Sequence, residues 1–120
     1  MLVVDDEPFV VETVHTYLSE GGYSTGVAHS GGEALRVFAE GAWDLIITDR
    51  AMPGMDGEHL AEHVKELAPG TPLILITGFA KPGTRFELFE ETLLKPFSKE
   101  ELLACVTRVF AQIAQRSKIK

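Results

Sequence analysis

Four short apolar runs in this 120-residue chain end in side chains that could do chemistry together. Leu2-Val3-Val4 leads into Asp5-Asp6, Leu45-Ile46-Ile47-Thr48 into Asp49, Leu73-Ile74-Leu75-Ile76 into Thr77, and Thr92-Leu93-Leu94 into Lys95-Pro96. Three carboxylates brought to one rim repel one another and raise their own pKa values unless a cation sits among them. A hard divalent ion such as Mg2+, which prefers oxygen ligands and keeps several waters, is the natural complement. Thr77 adds a hydroxyl and Lys95 a point charge, so the set and its metal form a cage for a tetrahedral anion, most plainly a phosphoryl group, with one carboxylate inside. A further run ending at Ala28-His29 contributes nothing comparable. His59 and His63 stand at i, i+4, a spacing that can bind a metal, but no Glu follows His59 in the metalloprotease arrangement, so they are read as a solvated helix face. His15 and His29 converge with nothing.

For the rim to exist, the runs must lie side by side. Apolar runs of about four residues alternate with longer amphipathic stretches, the pattern of strand-helix units and of a doubly wound α/β parallel sheet covered on both faces. In such a sheet the ligand site lies beyond the carboxyl ends of the strands. The chain reads as five units with strands at Leu2 to Val4, Tyr23 to Ala28, Leu45 to Thr48, Leu73 to Thr77 and Thr92 to Leu94. The first helix is expected from Pro8 until Gly21-Gly22 ends it. Ser30-Gly31-Gly32-Glu33 and Ser98-Lys99-Glu100-Glu101 are capping boxes that start two others. The last helix carries Leu102, Leu103, Val106, Val109, Phe110 and Ile113 as one stripe, and the basic ending Arg116, Lys118 and Lys120 solvates its negative end. Only 17 residues separate Thr77 from Lys95, so the fourth helix is cramped to a turn or two around Arg85 to Glu90.

Composition narrows the class. With 45% hydrophobic and 24% charged residues, the chain reads as one globular domain over residues 1–120, with no linker or repeat. Its longest apolar run, Leu102 to Val106, is far below the roughly 20 residues of a membrane-spanning helix. No secretory leader is apparent, and the single Cys105 in an apolar stretch suits a packed thiol in a reducing, cytoplasmic setting. Eleven Lys plus Arg against 18 Asp plus Glu, a net charge of -7, argues against a nucleic-acid surface. Trp43 and Phe97 are read as packing residues.

Taken together, Val3-Val4-Asp5-Asp6-Glu7-Pro8, Ile46-Ile47-Thr48-Asp49, Met52-Pro53-Gly54-Met55-Asp56-Gly57, Ile76-Thr77-Gly78 and Leu94-Lys95-Pro96-Phe97 resemble the receiver domain of two-component response regulators. The resemblance covers the whole chain with its motifs in order at the strand ends. It implies a flavodoxin-like (βα)5 sheet of strand order 2-1-3-4-5, and a phosphoryl group passing to an aspartate from a histidine kinase or a histidine phosphotransfer domain. Carried onto this sequence, it makes Asp49 the acceptor and gives Mg2+ (or Mn2+) to Asp5, Asp6, Asp49 and the backbone carbonyl of Ala51. Thr77 and Lys95 would each bond a phosphoryl oxygen, with a cis Lys95-Pro96 peptide. The implied protein is a cytoplasmic signalling domain that catalyses only its own charging and discharging, with no output domain, no direct nucleic-acid or membrane contact, and a homodimer as one possible assembly. Two features depart from the pattern: Thr92 where Tyr or Phe is usual, and the short fourth helix, which together bear on the usual switch and dimer. The Gly78-Phe79-Ala80-Lys81-Pro82 segment is similar to receivers attached to hybrid kinases and to some stand-alone ones. Arg50 after the acceptor either holds the loop or points to solvent.

Singly, each residue has a plainer reading. Asp5-Asp6-Glu7 favours a helix N-terminus in any protein, Asp49 opens a turn, Thr77 suits a strand and Lys95 a surface; only their joint place at strand ends points to a site. An aspartate-nucleophile phosphatase of the haloacid dehalogenase type would need a second Asp two residues after the nucleophile. Ala51 stands there after Asp49, and Glu7 after Asp5 only approximates it. A flavodoxin-like cofactor binder would need a phosphate cradle after the first strand, where Asp5-Asp6-Glu7 would repel one. A receiver-like interaction module that is never phosphorylated would not need the intact set.

Overall fold

A computed structural model describes residues 1–78 and 82–119, the last three by backbone alone. In chain order the elements are β1 (Leu2–Val4), α1 (Pro8–Glu20), β2 (Gly26–Ala28), α2 (Gly31–Ala39), β3 (Ile46–Asp49), α3 (Gly57–Leu67), β4 (Leu73–Thr77), a 3₁₀ turn (Phe86–Leu88), β5 (Glu91–Leu94) and α4 (Lys99–Ile119). All strand pairs are parallel and the order is β2-β1-β3-β4-β5.

The continuous apolar runs are explained by burial on both sides. Every residue of β1, β3 and β4 is buried, whereas β2 and β5 are edge strands with mixed exposure. Side chains alternate between faces. Leu2, Val4, Ile46, Leu73 and Leu75 pack with Phe38 of α2 and with Leu60 and Val64 of α3. Val3, Ile47, Ile74 and Ile76 pack with Val14 and Leu18 of α1 and with Leu102, Val106 and Val109 of α4. The last helix thus packs the stripe its spacing predicts against the sheet, and Cys105 within it is buried and free of any disulfide. Trp43 packs on the first cluster and Phe97 on the second.

One capping box forms in full and the other only in part. Glu101 N–H donates to Ser98 Oγ at 3.0 Å while Ser98 N–H donates to Glu101 Oε1 at 3.1 Å, the full reciprocal pair. At α2, Glu33 N–H reaches Ser30 Oγ at 3.1 Å, but the Glu33 carboxylate accepts from His29 N–H rather than from Ser30.

Three expectations need correction. β2 begins at Gly26, not Tyr23, because Tyr23 N–H is spent closing the end of α1 on the Leu18 carbonyl at 3.0 Å. The fourth helix is as short as expected and lies within Arg85 to Glu90, but it is a 3₁₀ turn, Phe86–Leu88, and not an α-helix: Pro82 and Gly83, the latter at φ +87°, use the chain before it. Among the described residues five strands therefore go with four α-helices rather than five helical units. Of the basic ending, Arg116 pairs with Glu90 at 3.5 Å instead of only solvating a helix end, and the Lys118 and Lys120 side chains lie outside the described residues. Phe79, Ala80 and Lys81 of the Gly78–Pro82 segment also lie outside them.

Candidate functional site

The register of the central strands assembles the site. Val4 of β1 stands opposite Thr48, so Asp5 and Asp49 leave adjacent strands at the same level. Asp49 stands opposite Ile76, and Thr77 opposite Leu94, which puts the Thr77 backbone one step and the Lys95 backbone two steps further along the rim. Lys95 N–H donates to the Thr77 carbonyl at 2.9 Å, and the Lys95-Pro96 peptide is cis.

Oxygens of Asp5, Asp6 and Asp49 all lie within 4.8 Å of one another. Asp5 and Asp49 are only 2% and 6% exposed, and Thr77 is buried beside them at 5%, whereas Asp6 is exposed. Lys95 Nζ donates to Asp49 Oδ1 at 3.1 Å and stands 3.6 Å from Asp5 Oδ2. Asp5 Oδ1 accepts from Glu7 N–H at 2.9 Å, but Asp5 Oδ2 is buried with no hydrogen bond. Burial pushes the Asp5 carboxyl up to about 6, against the Glu7 amide and Lys95 and with help from the Asp49 charge. Burial likewise raises Asp49 despite its hydrogen bond and charge contact with Lys95. For Lys95 burial works against the ammonium, yet the Asp49 hydrogen bond and the charges of Asp49 and Asp5 outweigh it and leave the pKa raised. One lysine therefore does not neutralise the rim. The orphaned Asp5 oxygen, the clustered carboxylates and their upward shifts all fit a hard divalent cation held by oxygen donors.

The structure thus brings Asp5, Asp6, Asp49 and Lys95 into contact range and sets Thr77 at the neighbouring strand end; Ala51 follows two residues after Asp49, exposed. Two supports of this rim carried no reason in the sequence reading. Gly57, at the start of α3, lies so close behind the acidic strand that a Cβ there would come within 2.3 Å of the Asp49 carbonyl oxygen. Its N–H donates to the Arg50 carbonyl at 2.9 Å, pinning the β3–α3 loop. Glu58 is the second support: Arg50 Nε stands 3.0 Å from Glu58 Oε1 as an ion pair outside hydrogen-bond alignment, so Arg50 holds the loop rather than pointing to solvent. The Asp56-Gly57 pair inside the Met52–Gly57 motif was the available signal, and its spatial reason needs the helix packed against the loop.

The family model of the response regulator receiver domain matches residues 1–107. The chain belongs to that family. As a receiver domain it is 32% identical to the transcriptional regulatory protein ResD of Bacillus subtilis over 98% of its own length and 50% of that protein's. It is 34% identical to the transcriptional regulatory protein GlrR of Escherichia coli over 95% of its length and 27% of that protein's, so the chain spans half or less of the length of these relatives. Among solved structures, this receiver domain superposes on the response regulator TrrA of Thermotoga maritima, in complex with Mg2+ and BeF, with a TM-score of 0.83 and 34% identity over 89% of this chain and 95% of that one. The chemotaxis protein CheY4 of Vibrio cholerae gives a TM-score of 0.85 and 32% identity over 90% and 95% of the two chains. The flavodoxin-like fold and the two-component signalling class expected from the sequence both stand. Among the described residues no helix is long and apolar enough to cross a membrane.

Proposed function

We propose that this receiver domain accepts a phosphoryl group on Asp49 from a phosphohistidine of a histidine kinase or histidine phosphotransfer domain, and that Asp5, Asp6, Asp49 and the Ala51 carbonyl hold a Mg2+ ion (or Mn2+) for that reaction. The observation that carries this reading is the buried Asp49 carboxylate, ion-paired to Lys95 at 3.1 Å and grouped with two further carboxylates, one with an orphaned oxygen. An Asp49 oxygen attacks phosphorus in line, the bond from phosphorus to the donor nitrogen breaks, and its electron pair stays on the imidazole. The product is an acyl phosphate. Bound Mg2+ supplies charge neutralisation for the acids and the incoming phosphoryl oxygens. Lys95 shares that task from the strand β5 end, and the Thr77 hydroxyl donates to a phosphoryl oxygen. Water later attacks phosphorus and releases inorganic phosphate, so the chain charges and discharges itself and turns over no free substrate.

The donor's approach is supported by a groove of about 280 Å³ along the rim, lined by Phe9, Val10, Thr13, Lys95, Pro96 and Phe97. Phe9 is 81% exposed there and offers an apolar seat beside the lysine that reaches Asp49. Residues 1–120 act as one receiver unit in the cytoplasm, and output passes to a bound protein or to other parts of a longer protein. Intact mass after incubation with acetyl phosphate tests the assignment. A gain of one phosphoryl group that requires Mg2+ and disappears in Asp49→Asn is expected; a gain that persists in Asp49→Asn, or no gain with Mg2+, overturns it.

A further inference from the structure

His59 and His63 stand four residues apart on the exposed side of α3, well away in chemistry from the carboxylate rim. Both line one open depression of about 400 Å³ together with Gly54 and Met55 of the β3–α3 loop. His63 Nδ1 lies 2.8 Å from the His59 carbonyl oxygen. A carbonyl only accepts, so Nδ1 of His63 carries a proton, and in the neutral ring Nε2 holds the lone pair. His59 Nδ1 lies 2.9 Å from Asp56 Oδ1, a carboxylate oxygen that also only accepts, and the neutral ring takes the same tautomer. Asp56 is itself held, because the same oxygen accepts from His59 N–H at 2.9 Å as the N-cap of α3. A carboxylate that fixes an imidazole through Nδ1–H and presents Nε2 outward is the arrangement that orients histidine ligands in metal sites. Residues four apart on a helix lie one above the other on one face, so two such nitrogens can reach one ion.

We propose that His59 and His63 form a two-imidazole site for a borderline divalent transition metal, with Asp56 as its positioning residue and water completing the coordination. The donor type separates it from the acidic rim: imidazole suits Zn2+, Ni2+ and Cu2+, with Cu2+ bound most strongly, whereas carboxylates suit Mg2+. With two protein ligands the site is weaker than a closed four-ligand centre. The proposal does not depend on Asp49 being a phosphoryl acceptor.

The test is a titration of the full chain with Cu2+ in excess Mg2+, read by electron paramagnetic resonance and by competition for affinity. One equivalent of Cu2+ with two equatorial nitrogens is expected. His63→Ala and His59→Ala each lose a nitrogen from the spectrum and weaken binding by at least about tenfold, while Asp56→Asn, which keeps an N-cap acceptor, weakens it by about tenfold with both nitrogens retained. His29→Ala changes neither reading, and circular dichroism shows each variant folded. An unchanged nitrogen pattern and affinity in the doubly substituted His59→Ala, His63→Ala chain, or Cu2+ bound through oxygen alone, overturns the proposal.

Discussion

The carboxyl ends of β1 and β3 and the return from β4 to β5 are both built from charged side chains, yet they obey different physics. At the first, Asp5 and Asp49 are almost fully buried around one lysine, and burial displaces their titration upward. At the second, Arg85 lies in the open, 3.1 Å from Glu62 and 3.4 Å from Glu87, and its guanidinium pKa is raised by the hydrogen bonds to those two acids, Glu62 first. Contacts of similar length therefore differ in consequence, because water screens the second set and not the first. The site is made where the sheet excludes water from like charges, and the surrounding ion pairs only join elements.

The largest effect is expected from removing the cation of the buried set. Lys95→Ala should slow acetyl-phosphate labelling of Asp49 by about a hundredfold or more, since a donor aimed at a developing oxyanion in a dry site is worth that much. A loss of less than about threefold, in labelling followed by intact mass, would mean that the rim is wetter than its burial suggests. The next effect concerns pH. The folded Asp5 carboxyl titrates at about 6, above its ordinary value of 3.8, and Asp49 shifts the same way. Between those values the native chain binds more protons than the unfolded one, so stability without metal should fall as pH rises from about 4 through 6, and level off above. The fall attributable to Asp5 is at most about 3 kcal/mol, measurable by urea unfolding in EDTA. Mg2+ should cancel most of it by binding the ionised native rim.

A smaller effect tests the packing behind the rim. Gly57→Ala places a methyl against the Asp49 carbonyl and should cost about 1–3 kcal/mol through the backbone shift it forces. Urea midpoints report the stability loss, and labelling should slow as well because the displaced strand end carries Asp49, the proposed acceptor. The smallest effect belongs to the exposed return: Arg85→Ala should leave the melting temperature within the scatter of replicate scans and labelling unchanged. A clear drop in either would show that the two regions are energetically one.

Much of this was legible in the chain. Leu2–Val4 and Leu73–Thr77 read as buried strands because sheets covered on both faces need unbroken apolar runs, and both strand boundaries match. The rim could be listed from strand ends, because parallel strands with crossover helices all point their carboxyl ends one way. Tyr23 reads as strand because nothing local in the sequence reveals that its N–H closes α1. Arg50 was undecided because its partner, Glu58, lies across a loop and a helix start.

What the sequence determined by itself is the set of groups and their common end of the sheet: Asp5, Asp6, Asp49, Thr77 and Lys95 are fixed there by periodicity and strand direction, which are local properties. What only the tertiary structure decided is their electrostatic state. Whether the second oxygen of Asp5 finds a partner, how far burial lifts the two carboxyls, and why only glycine fits at position 57 depend on how closely β1, β3, β5 and α3 approach one another. Desolvation and steric contact are properties of that approach and of no single segment, so they exist only once the layers have packed.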